Sequence, residues 1–115
     1  MLRIPVDDHL LLAYHTNIVR GRLVLHEKIT DERGNTVEMK IWQVPVSEDK
    51  PHGYKYSLVY IVGGERLIGY DNAEGKGDHR HFMGKESSYP FRGIRRLVRV
   101  FEADVESYKE KRDEN

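Results

Sequence analysis

The chain has 115 residues, no cysteine, and 19 basic side chains against 19 acidic ones. That length supports one small domain and leaves no room for a separate cofactor-binding unit, so residues 1–115 are read as a single domain. The missing cysteines exclude a disulfide framework, a thiolate metal site and a cysteine nucleophile, and the balanced charge means that any nucleic-acid or membrane role must come from local clustering.

At the N-terminus no apolar run approaches the ~20 residues that span a bilayer, and Asp7 and Asp8 fall where a signal peptide needs an unbroken apolar stretch. A soluble, unprocessed, cytoplasmic protein is expected, with no membrane partner. The segment HLLLAY fits a helical turn as well as a strand, so the structure of residues 1–20 stays open. From Arg22 the pattern sharpens. RLVLHEKI and VEMKIWQV are β-rich runs joined by TDERGNT, whose Asp31, Gly34 and Asn35 suit a turn. Val37, Met39 and Ile41 alternate with Glu38 and Lys40, the period of a strand with one buried and one wet face.

The loop PVSEDKPHG holds two prolines, which cannot donate to a central ladder, and reads as a surface excursion. Then YKYSLVYIV and ERLIGYD flank Gly63-Gly64, a two-residue connection that predicts a hairpin because both glycines tolerate positive φ. After Pro90, the residues Phe91, Ile94, Leu97, Val98, Phe101, Val105 and Tyr108 recur at helical spacing. They predict a long amphipathic helix started by Ser87, Ser88 and Pro90, with 110–115 as a frayed polar tail. The expected fold is α+β: an antiparallel sheet of four to five strands packed on the C-terminal helix.

Between sheet and helix runs YDNAEGKGDHRHFMGKE, residues 70–86, expected to be irregular. Gly75 and Gly77 flank Lys76, a spacing that would bring backbone N–H groups and an ammonium to a phosphate, although a plain flexible turn is the favoured reading of Gly-Lys-Gly by about two to one. If HRHFM is extended, His79 and His81 share one face while Arg80 and Phe82 share the other. Two imidazoles with ordinary pKa values of about 6.5 can serve as base and acid at neutral pH. The chemistry this fits is metal-free RNA cleavage, with Arg80 and Lys76 as candidate phosphate cations and Asp71 orienting a histidine. That chemistry needs the two rings within about 8 Å of each other, facing a shared hollow that holds cations.

Two other readings compete. His-x-His with Asp71, Asp78 or Glu86 could hold a metal for a hydrolase; or the histidines are surface groups paired with carboxylates, which takes about half the weight for an isolated pair. Asn72 reads as a turn residue bonding its own backbone. On the helix, Arg92, Arg95, Arg96 and Arg99 form a basic stripe that opposes the macrodipole, equally a solvated face or an anion-binding strip. Tyr70 is among the aromatic residues available for base stacking.

The run from KIWQVPVSEDKPHGYKYSLVYIVGG through GYDNAEGKGDHRHFMGKE, with FEADVESY in the helix, resembles the TumE-type family of small prokaryotic toxins over residues 22–108. The matching positions are Tyr70, Asp71, Asn72, Gly75, Gly77, Asp78, His79, Arg80, His81 and Glu86. The resemblance implies a toxin paired with a helix-turn-helix antitoxin and suspected of cleaving RNA. No cofactor and no resident metal are expected, and a homodimer is left open. No catalytic assignment comes with the resemblance. A metal-independent endoribonuclease is the leading expectation; a non-catalytic nucleic-acid- or protein-binding module and a metal-dependent hydrolase are the alternatives.

Overall fold

The computed structural model describes residues 21–73 and 75–113, so the N-terminal stretch left open by the sequence lies outside the described residues. Six strands follow one another: β1 (Arg22–Thr30), β2 (Thr36–Gln43), β3 (Tyr54–Val62), β4 (Glu65–Asp71), β5 (His79–Phe82) and β6 (Lys85–Ser88). They pair in chain order, each antiparallel to the next, as one open sheet. The helix α1 (Ile94–Asp113) closes the described chain. The architecture is the expected α+β, but the sheet has six strands and not four to five. The additional pair, β5 and β6, comes from residues expected to be irregular.

Alternation along the strands sends Met39 and Ile41 of β2, Tyr56, Leu58 and Tyr60 of β3, and Ile68 and Tyr70 of β4 into one buried layer. Leu97, Phe101 and Val105, four residues apart on α1, close that layer from the helix side. Burying each such side chain stabilises the fold by about 1.5–3 kcal/mol before the entropy of ordering is set against it. Gly63 and Gly64 adopt φ of 58° and 82°, the two positive values that a tight hairpin between β3 and β4 requires.

The start of the helix differs from the expectation. Ser87 and Ser88 lie in β6, and the first helical bond runs from the Leu97 N–H to the Gly93 carbonyl at 3.1 Å, which makes Gly93 the capping residue. Its φ of 97° explains why glycine stands there. At the other end the helix continues through Asp113, so residues 110–113 of the expected tail are helical. Arg80 fastens α1 to the sheet: its Nε donates to Asp104 Oδ2 at 2.9 Å and its Nη2 to Oδ1 at 3.0 Å. No helix of the described residues is long and apolar enough to cross a membrane.

Candidate active site

The face of the sheet turned away from α1 carries the histidines. Strand alternation places Asp71 on β4 opposite His79 on β5, with His81 two residues further along the same face. The two imidazoles stand 5.0 Å apart, centroid to centroid, with their planes at 76°. His79 Nε2 lies 2.9 Å from Asp71 Oδ1, and His81 Nε2 lies 3.9 Å from Oδ2 of the same carboxylate. All of them line an open hollow of about 470 Å³, together with Lys55, Arg66, Lys76 and Glu86. The rings therefore lie within about 8 Å of each other, as expected, and line one hollow.

Each ring is held differently. His79 is buried, and its Nδ1 sits 3.1 Å from the carbonyl of Gly77. A carbonyl only accepts, so Nδ1 carries the proton and Nε2 is the atom turned to Asp71 and the hollow. His81 is more open, with Glu86 Oε2 at 3.5 Å from its Nδ1. Burial, reinforced by the nearby Arg66 guanidinium, lowers the pKa of His81 below its ordinary value and favours the neutral ring.

Arg66 is the cation that the sequence did not reveal. Between Tyr60 and Ile61 the ladder of β3 and β4 slips, so Ile61 faces Arg66 and Leu67 is the extra residue of a bulge. Regular alternation with Ile68 and Tyr70 would have aimed Arg66 at the helix. The bulge carries it to the histidine face, where its Nη1 reaches 3.5 Å from Asp71 Oδ2. Its stem crosses Gly69, where an added Cβ would stand only 3.1 Å from Arg66 Cδ. A glycine inside a strand is the signal that could have pointed to this close approach.

A family model described as Toxin TumE matches residues 7–109. The chain belongs to the TumE toxin family. It is thus the toxin component of a toxin–antitoxin system, with a cognate antitoxin as its partner. No curated protein and no solved structure gives a significant match.

Several motif residues of this TumE-family toxin frame the hollow without facing it. Asn72 is buried and continues the β3–β4 ladder with its side chain, accepting from the Tyr56 N–H at 3.0 Å and donating to the Tyr54 carbonyl at 2.8 Å. Asp78 accepts from the Tyr56 hydroxyl at 2.6 Å and from His52 Nε2 at 3.0 Å. His52, one of the scattered histidines of the sequence, takes the Tyr54 N–H on Nδ1 and stacks on Phe91 at 3.9 Å. Burial and the bond to Asp78 push the Tyr56 hydroxyl pKa far above the ordinary tyrosine value, so it stays a donor. These bonds tie Asn72 and Asp78 to β3.

Three expectations need correction. Gly75 and Gly77 take positive φ, 77° and 72°, but they do not form a phosphate cradle. The Gly75 N–H is donated to Asp49 at 3.0 Å, and the Lys76 N–H to the Ala73 carbonyl at 3.1 Å, so these two backbone donors are already engaged within the chain. Only the Lys76 side chain reaches the hollow. Tyr70 is buried at 2 % exposure, its hydroxyl donating to Asp104 Oδ2 at 2.6 Å, and it offers no ring for stacking on a base. Arg80 points to the helix, bonded to Asp104 and 4.5 Å above the Phe82 ring, and is not a cation of the histidine face. Arg92 precedes the helix, while Arg95, Arg96 and Arg99 lie on exposed turns of α1, across the sheet from the hollow. Among the described residues none of these four has an ion-pair partner.

Proposed function

We propose that this toxin arrests growth by cleaving RNA in the hollow lined by β3, β4, β5 and β6. One observation carries the reading: two imidazoles 5.0 Å apart share a solvent-reachable hollow with a carboxylate and with Lys55, Arg66 and Lys76. A phosphodiester lodged against those cations places its ribose 2′-hydroxyl beside the rings. His81, the neutral ring, takes the hydroxyl proton as the 2′-oxygen attacks phosphorus. The bond to the 5′-oxygen breaks, and that oxygen takes the proton that His79 Nε2 shares with Asp71. A 2′,3′-cyclic phosphate and a free 5′-hydroxyl remain. Arg66 offsets the charge that builds on the phosphoryl oxygens, the role first assigned to Arg80.

The test is cleavage of a labelled RNA by purified protein, with growth arrest scored in parallel. His79→Ala and His81→Ala are expected to abolish both, with circular dichroism unchanged, and chelation by EDTA should leave wild-type cleavage intact. The product should carry a cyclic phosphate end. If both variants still arrest growth, or if the wild type binds RNA and leaves it whole, the protein is a binding module and the catalytic reading fails.

A further inference from the structure

The same three side chains have the donor set and the geometry of a divalent metal site. One nitrogen from each of His79 and His81 and one oxygen of Asp71 all lie within 4.8 Å of one another. Two imidazoles and a carboxylate are the ligand types that zinc takes where it keeps a further position open to solvent. Ligand type alone would be weak evidence, but the far side of each ring strengthens it. A metal-bound imidazole characteristically donates its other N–H to a carbonyl or a carboxylate, which fixes the ring and its tautomer. Here His79 Nδ1 faces the Gly77 carbonyl at 3.1 Å, and His81 Nδ1 faces Glu86 Oε2 at 3.5 Å. Both Nε2 atoms are thereby aimed at Asp71. The positive φ of Gly77 belongs to the turn that sets its carbonyl beneath His79.

We propose that Asp71, His79 and His81 bind a zinc-class divalent cation through one carboxylate oxygen and the two Nε2 atoms. The site itself does not depend on what the protein does to RNA. Its consequence rests on the ribonuclease reading above: the ion displaces the proton on His79 Nε2 and occupies the lone pair of His81 Nε2, so bound zinc silences cleavage and its removal restores it. Zinc availability would then set the activity of the toxin independently of the antitoxin.

Isothermal titration of the full chain with zinc chloride tests the site. One ion per chain is expected for the wild type, with binding lost in Asp71→Asn and in the His79→Ala, His81→Ala double variant. Glu86→Gln should weaken binding by about 10-fold, the lower end of the effect of losing an outer partner of a ligand. His26→Ala and His52→Ala should bind as the wild type does, because those rings are engaged by Glu38 and Asp78. Nitrogen NMR of the wild-type imidazoles removes any dependence on variants that misfold: on zinc addition the Nε2 signals of His79 and His81 should move. Unmoved signals, or undiminished binding in the double variant, overturn the site and leave the ribonuclease reading standing if the alanine variants had lost cleavage. Zinc-dependent cleavage would confirm the site and remove the metal-free mechanism instead.

Discussion

A single residue out of register sets the electrostatics of the histidine hollow. The pairing of His79 with His81 on one face was legible in the sequence, because side chains two apart in a strand always share a side. Asp71 was legible for the same reason once β4 was placed. Arg66 was not: reading it required the bulge at Leu67, and a bulge leaves no mark in the hydrophobic alternation. Arg80 was misassigned because the sequence puts it between two histidines, and nothing in the motif shows Asp104 waiting on the helix. The roles now differ in a measurable way. Arg66→Ala should reduce RNA cleavage about tenfold or more with little change in thermal unfolding, since the side chain is 43 % exposed and its loss opens no cavity. Gly69→Ala should act in the same direction through the crowded Arg66 stem. Full activity in Arg66→Ala would remove it from the phosphate site.

At the scale of elements, the sheet was readable wherever the turn chemistry is strong and unreadable where it is weak. Gly63-Gly64 announces its hairpin, and β3 and β4 begin and end where the sequence pattern puts them. The β5–β6 hairpin turns on Met83-Gly84, both at positive φ, 51° and 86°. Methionine is not a residue that signals such a turn, so HRHFMGKESS reads as irregular. The strand that holds both histidines thus ends in a strained turn. Left-handed backbone costs an L-residue roughly 1–2 kcal/mol, and asparagine recovers part of that through its short polar side chain. Met83 is half exposed and buries little that would be lost. Met83→Asn is therefore expected to stabilise the protein by about 0.5–1 kcal/mol, read as a higher urea midpoint with an unchanged slope. A destabilised variant would mean that the Met83 side chain contributes packing worth more than the relief of its backbone.

At the scale of the molecule, the sheet separates two surfaces that the sequence could not tell apart. Tyr70, Arg80 and Phe82 face the helix; Asp71, His79 and His81 face the hollow. The arginine stripe belongs to the helix side and the candidate chemistry to the other, so no short substrate reaches both. The stripe has a second property that follows from its place in the chain. Arg95 and Arg96 occupy the first turn of α1, where there is no acidic residue to answer the positive end of the helix dipole. Replacing Arg95, Arg96 and Arg99 together by glutamine should then raise stability by about a few tenths of a kcal/mol for each of the two first-turn charges. The same variant should cleave a short oligonucleotide within about twofold of the wild type, as surface changes remote from a site do. Binding to long RNA or to the antitoxin is where the stripe would act, as a weaker and less salt-dependent association in the variant. A collapse of short-substrate cleavage as deep as that from His81→Ala would show that the two faces act as one surface, and the hollow alone could not then be the site of reaction.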